Sequence, residues 1–329
     1  MTAIFVIGMH RSGTSLMTRL LEVAGAYVGT DDTLMEANEW NETGFWEDKR
    51  FAHINARLLE AFGGWVWDPP AFPEGWLDDD RTQALRSEAQ ALLKKEFETH
   101  SMWAVKDPRA TLVLPFWHRL VDHPKHVLCV RNPLDVAGSL SKRDGMPTEF
   151  SVALWHIHTL RALLDTKKDN RIVFLYEDVV REPLKTVEPL FTFIGARDHL
   201  TDPGVRGEIE QSVQSGLKHH DHSLADLLSH PHVLDSTKAL YKAFIERDQS
   251  ALDSAVGSAQ ETLPVLHGIT RACGQMYKIY CDAFGSKRPK PRRHAPKAAE
   301  REQAQRSGGI LQFAGGWIGR MNGRAQTSE

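Results

Sequence analysis

The stretch from Ala3 to Gly25, AIFVIGMHRSGTSLMTRLLEVAG, allows few folds. Ala3 to Ile7 is a short apolar run with β-branched residues, the pattern of a buried strand. Gly8 to Gly13 is a tight polar turn with glycine at each end. From Thr14 onward, Leu16, Met17, Leu20, Leu21 and Ala24 recur with helical spacing, and Gly25 is a suitable stop. Strand, glycine-bounded loop and helix in this order make a cradle for an anion. The loop N–H groups and the positive end of the helix dipole point at one spot.

The loop is close to the nucleoside-triphosphate pattern G-x-x-x-x-G-K-[ST], with one departure. Gly8, Gly13 and Ser15 fit, but Thr14 stands where the lysine belongs, and the nearest cation is Arg11. A kinase or NTPase without that lysine lacks its charge on the β- and γ-phosphates. The anion expected here is therefore not a triphosphate.

The rest of the chain, 329 residues long, allows one large α/β domain with additions or two small ones. Three cysteines, Cys129, Cys273 and Cys281, are an odd number and make no disulfide framework, which points to a reducing, cytoplasmic home. Neither a secretory leader nor an apolar run of about 18 residues is seen, so no membrane span is expected. Residues 286–329 hold ten Lys/Arg against three Asp/Glu, a net +7, which leaves −10 on the remainder of a chain totalling −3. Such a tail suits a solvated, disordered segment or peripheral contact with an acidic membrane surface; no nucleic acid partner is expected.

Taken in order, the acidic stretch Asp31 to Asp48 reads as a loop leading into a helix over Glu47–Phe62. Its carboxylates, Glu36, Glu39, Glu42, Glu47 and Asp48, follow the anion loop and are placed to supply a general base. Gly63 to Trp76 is irregular and aromatic, suited to stacking on a flat substrate, and Arg81 to Thr99 is an amphipathic helix. Met102 to Val105 is a second buried strand, stopped by Lys106-Asp107-Pro108-Arg109. In a parallel sheet the strand C-termini line the ligand crevice, which puts Lys106 beside the anion loop. A helical segment follows over Thr111–Leu120.

His126 to Val130 is a third strand, followed by Arg131-Asn132-Pro133 and a helix that carries Asp135, Ser139 and Arg143 on roughly one face. Arg131 and Ser139 are candidates to grip a second phosphate, so the ligand carries anions at two ends. Glu149–Thr166 is helical, and its His156 and His158 point in different directions, which argues against a metal site. Arg171 to Leu175 is a fourth strand and Pro183 to Ile194 a helix stopped by Gly195. This alternation gives a P-loop-like, three-layer α/β fold on a central parallel sheet. The basic run Leu217–His222, with Lys218 and His219, suits a phosphate-facing lid. Ser236 to Phe284 is a helical extension that packs on the core or on a second copy of the chain. The expected division is a nucleotide-binding domain over 1–225, a helical extension over 226–285 and a disordered basic tail over 286–329.

On these residues the chain resembles sulfotransferases that use 3′-phosphoadenosine-5′-phosphosulfate (PAPS), of the bacterial sulfotransferase-domain type, over about residues 3–220. GMHRSGTSLMTRLL resembles the family's 5′-phosphosulfate loop, and CVRNPLDVAGSLSKR its 3′-phosphate segment. KDPRATLVLPFW and YEDVVREPLKTVEPLFTFIG are similar to its later signatures. The resemblance implies that His10, Arg11, Ser12, Gly13, Thr14, Ser15, Arg131 and Ser139 hold the donor, with no metal. It implies in-line sulfuryl transfer aided by Arg11 and Lys106. GFWED resembles a stretch that carries the family's base, which points to Glu47, with Glu42 next. A histidine base of the kind used by cytosolic small-molecule enzymes would fall near Asp107. The acceptor expected is a carbohydrate or glycolipid. Two other classes stay open: a nucleotide or small-molecule kinase with a degenerate loop, and a non-catalytic sulfotransferase-like binding module.

Overall fold

In a computed structural model that describes residues 1–36, 44–214 and 222–284, the anion loop hangs from the central region of a four-stranded parallel sheet. The strands are β1 (Thr2–Ile7), β2 (Met102–Lys106), β3 (Lys125–Val130) and β4 (Arg171–Leu175), in the order β2-β1-β3-β4. The register pairs Val6 with Lys106, Ile7 with Leu128 and Val130 with Leu175, so the strand C-termini end side by side. The chain moves from β1 to one neighbour and then crosses to the other. That reversal opens a crevice at the carboxyl ends of the strands, where ligands bind in sheets of this kind.

The helices are α1 (Thr14–Val23), α2 (Lys49–Ala61), α3 (Asp80–Leu92), α4 (Leu114–His118), α5 (Pro133–Asp144) and α6 (Thr148–Leu164). They continue as α7 (Tyr176–Arg181), α8 (Pro183–Ile194), α9 (Pro203–Gln214), α10 (Leu224–Ser229), α11 (Asp235–Glu246) and α12 (Gln249–Phe284). Alternate residues of β1 serve two cores, which is why the strand reads as an unbroken apolar run. Ile4 and Val6 join Leu20 and Leu21 of α1 and Leu190 and Phe191 of α8. Phe5 and Ile7 join Trp103, Trp117, Leu154 and Trp155 on the opposite face. The same second core takes in Leu227, Leu240 and Leu266 from α10, α11 and α12. The helical extension is therefore docked on the sheet's own core, while its outer surface leaves Val265, Met276 and Ile279 exposed. Residues from Tyr280 onward form a separate unit, described only as the end of α12 through Phe284. Among the described residues no helix is long and apolar enough to cross a membrane.

Local chemistry moves several boundaries from where periodicity puts them. The helix expected from Glu47 begins at Lys49, because the Asp48 carboxylate accepts from the N–H groups of Arg50 (2.9 Å) and Phe51 (3.3 Å) and caps it. The amphipathic run expected to Thr99 is α3 followed by a π-helical turn over Leu93–Phe97, which buries Leu93 and Phe97. Thr111–Leu120 is not one helix: a 3-10 turn over Pro108–Leu112 precedes α4. α7 was not anticipated, since Tyr176-Glu177-Asp178 reads only as a polar strand end.

Candidate functional site

The loop after β1 is held by contacts that leave little choice of residue. Gly8 has φ 134°, and a Cβ there would sit 2.4 Å from the carbonyl oxygen of Cys129 on β3. The Gly8 N–H donates to the Thr111 hydroxyl at 3.0 Å, which ties the loop to the segment after β2. Gly13 has φ 87° and packs so tightly on the Tyr176 ring that a Cβ would meet it at 2.5 Å. A Gly8→Ala variant is expected to lose about 2–3 kcal/mol of stability by urea denaturation, combining backbone strain with a main-chain clash.

At the tip, Arg11 takes a left-handed φ of 67°. This strained backbone sends its guanidinium to α5, where Arg11 Nε donates to Ser139 Oγ at 2.9 Å. From the end of β3, Arg131 Nη1 donates to the Arg11 carbonyl at 3.3 Å. The loop segment and the β3–α5 segment thus meet, and Arg11, Arg131 and Ser139 form one cluster. Burial pulls the Arg11 pKa down to about 10, with the charges of Arg143 and Arg131 adding to the effect. An anion placed here relieves that repulsion. Ser12 Oγ is buried with no partner among the described residues, and the first N–H groups of α1 have no intrahelical acceptor. Both belong to the turn that runs from β1 into α1.

Tyr176, the first residue after β4, closes this side. Its ring stacks under the Arg131 guanidinium, with Cζ 4.5 Å from the ring centroid. The Asn132 N–H donates to Glu177 Oε1 at 3.0 Å, and the Asn132 side chain caps α5 through the Leu134 N–H. Asp135 lies buried below Arg131 and accepts from the His222 N–H at 3.0 Å, with His222 Nδ1 2.6 Å away. Lys218 and His219 lie outside the described residues, as does Glu42.

The second cluster surrounds Lys106 at the end of β2. Its Nζ donates to Glu47 Oε1 at 2.6 Å, and both groups are buried. Arg109 Nη2 donates to Glu47 Oε2 at 3.4 Å, and Arg109 Nε donates to Asp107 Oδ1 at 2.8 Å. Asp107 is positioned in turn by Asn55 Nδ2 (2.8 Å), whose Oδ1 accepts from the Trp117 indole at 2.8 Å. Two cations and two carboxylates alternate, each charge satisfied by its neighbour, as burial requires.

His10 joins the two clusters electrostatically. Burial depresses its pKa well below the usual imidazole range, and Arg143, His158, Arg109 and Lys106 push the same way. The ring is therefore neutral at pH 7. It lies 4.8 Å from the Trp67 ring and 6.2 Å from His158, centroid to centroid. Its Nε2 is buried without a partner among the described residues.

Of the residues singled out from the sequence, Arg11, Arg131 and Ser139 are in mutual contact, and Lys106 and Glu47 form an ion pair. Ser15 turns aside, its hydroxyl donating to the Phe45 carbonyl at 3.2 Å. Arg109, Tyr176 and Trp67 were not singled out. Arg109 stands in the same charged strand end as Lys106, and Tyr176 directly follows a strand; position after a strand was the available signal for both.

The sequence profile of the sulfotransferase family matches residues 3–201. The chain belongs to the sulfotransferase family. The match spans every strand, both clusters and α1 to α8, and leaves α9 to α12 outside it. Among solved structures, the sulfotransferase domain of the Synechococcus PCC 7002 olefin synthase is 19% identical with a TM-score of 0.39, over 69% of this chain and 92% of that one. The sulfotransferase domain of the curacin biosynthetic pathway is 15% identical, also at 0.39, over 80% and 97%. A Mycobacterium avium sulfotransferase is 14% identical at 0.34, over 67% and 69%. The comparison with curated proteins gave no match.

Proposed function

We propose that this sulfotransferase moves the sulfuryl group of PAPS to a hydroxyl, or an amine, of a carbohydrate or glycolipid acceptor. The observation that carries the reading is the contact of Arg11 with both Ser139 and Arg131. It joins a 5′-side anion cradle to a second cation cluster, and PAPS carries anionic groups at both ends of one nucleoside. The donor fits the residues present: a buried Ser12 hydroxyl without a partner among the described residues, the N-terminal end of α1 with its dipole, and Arg131 backed by Tyr176.

In this reading the loop N–H groups, Ser12, Thr14 and Arg11 hold the 5′-phosphosulfate, while Arg131 and Ser139 hold the 3′-phosphate. Transfer is in-line. The acceptor oxygen forms a bond to sulfur while the bond from sulfur to the bridging oxygen breaks, and negative charge grows on the leaving phosphate. Lys106 and Arg11 stabilise that charge as preorganised donors. Glu47 takes the acceptor proton, a service worth about 10²–10⁴-fold in general. Its ion pair with Lys106 keeps the carboxylate oriented until the sulfuryl group draws the lysine away. The aromatic loop around Trp67, beside the same cations, supports an acceptor with a flat face. The cysteine content supports a cytoplasmic setting.

Calorimetry with 3′-phosphoadenosine 5′-phosphate (PAP) against ATP tests the donor. PAP should bind and ATP should not compete; equal binding of the two would overturn the reading. Arg131→Ala should weaken PAP by roughly 10–100-fold, the loss of a charged hydrogen bond of about 1.5–3 kcal/mol. Unchanged affinity in that variant would remove the 3′-phosphate assignment. A screen of sugars, lipids and phenols with radiolabelled donor identifies the acceptor.

A further inference from the structure

The part of the chain beyond the family match bears directly on the site. α12 passes across the irregular loop 63–76 and fixes it at four places. A Cβ on Gly274 would lie 2.6 Å from the Trp67 carbonyl oxygen and 2.9 Å from Asp68 Cβ, so helix and loop are in backbone contact. The Tyr277 ring stacks on Trp65 at 6.4 Å with planes 15° apart, and its hydroxyl donates to the Asp144 carbonyl at 3.0 Å. His267 Nδ1 lies 3.2 Å from the Pro69 carbonyl. Arg271 offsets part of the effect of burial on Asp68, whose carboxyl is pushed up. The loop is itself compact: Trp65 and Asp68 exchange backbone hydrogen bonds at 3.0 Å each, and Gly64 leaves no room for a Cβ against Pro70.

What α12 presses inward is Trp67. Its indole is 8% exposed, lies 4.8 Å from the His10 ring, and has the Arg143 guanidinium 5.9 Å from its centroid. His10 belongs to the anion loop, and Lys106 and Arg109 act on it electrostatically. Trp67 is thus an apolar neighbour of the anion loop, packed on His10 and beside Arg143.

We propose that α12 is a site-forming element: through Gly274 and Tyr277 it holds Trp67 as an apolar wall against His10 of the anion loop, which keeps water from the transferring sulfuryl group. This rests on the PAPS reading above. Gly274, Tyr277 and Trp67 are positioning residues. Without the wall, water attacks sulfur. The bond from water oxygen to sulfur forms and that from sulfur to the phosphate oxygen breaks, giving PAP and sulfate with the protons released to solvent.

The test measures acceptor-free PAPS breakdown, PAP affinity and chymotrypsin cleavage within residues 63–76, on the full chain. Trp67→Ala and Gly274→Val should raise breakdown on the order of 10-fold. PAP affinity should change far less than the breakdown rate, since Trp67 meets the donor loop only through the His10 ring. Gly274→Val should also open residues 63–76 to cleavage that the wild type resists. Should Gly274→Val not fold, Tyr277→Ala, which removes the ring stacked on Trp65, carries the same readings at smaller size. Unchanged breakdown, or a PAP affinity that falls in step with it, would overturn the wall. If the wild type neither binds PAP nor consumes PAPS, the donor assignment fails, and the cleavage pattern alone decides whether α12 holds the loop.

Discussion

Lys106→Met is expected to lower turnover by about 10²–10³-fold, the usual effect of deleting one preorganised donor at developing charge. On the proposed reading PAP affinity should fall far less, because the lysine would meet charge that appears mainly in the transition state. The same change has a second, separable effect on folding. It leaves the Glu47 carboxylate buried with only Arg109 near, at 3.4 Å. Breaking a buried pair from one side costs about 3–5 kcal/mol, and the remaining arginine puts this case at the low end. The double variant Lys106→Met/Glu47→Gln should therefore recover most of the lost stability while staying inactive. Urea denaturation and single-turnover transfer separate the two. A single variant as stable as wild type would mean that the pair is not a buried one in solution.

The second large effect is acid lability. His126, His156 and His158 are buried, and their pKa values are pushed down to about 3, 4 and 4, chiefly by burial. Each is committed as a neutral ring. His126 Nδ1 faces the Asn170 carbonyl and its Nε2 lies 2.9 Å from His118 Nε2, while His156 bonds Thr237 and His158 Nδ1 donates to the Leu154 carbonyl. His10 shifts the same way. A lowered imidazole pKa means that the unfolded chain gains protons first, so stability is full above pH 6.5 and declines as pH falls below it. Asp165, raised to about 6, and Glu177, raised by burial, act in the opposite sense, since the folded chain protonates them first. His118 and His267 are lowered as well and Asp68 is raised, so depressed imidazoles outnumber raised carboxyls and stability should fall as pH drops below 6.5. The melting temperature should therefore decline steadily from pH 7 to pH 4. Thermal melts from pH 7 to 4 check this; a flat profile would contradict it.

Much of the sheet could be read directly. β3 and β4 are β-branched runs with charged or proline-bearing ends, and β1 is bounded by a glycine that nothing else could replace. The helix starts were legible where a short polar side chain caps them, as Asp48 does for α2. Segments governed by packing were not. The π-helical turn at Leu93–Phe97 exists to bury two apolar residues, and no local pattern announces it. In the site, Arg131 could be picked out because it directly follows a strand, Arg11 because it is the cation of the glycine-bounded loop after β1, and Ser139 because it lies eight positions, about two helical turns, beyond Arg131. That Lys106 would pair with Glu47 could not, since 59 residues separate them and only the fold brings them together. Trp67 was hidden for the same reason: its place depends on Gly274, more than 200 positions away, whose missing side chain is invisible to periodicity.

Because the Arg11 guanidinium of the loop is hydrogen-bonded to Ser139 on α5, on the proposed reading the two ends of a nucleotide are recognised together and not independently. Whatever draws Arg11 toward a 5′ group takes it from the Ser139 hydroxyl, freeing that hydroxyl for the group at the other end. Fragments bearing a single anion therefore pay for that exchange alone, and their affinities will not sum to that of the intact molecule.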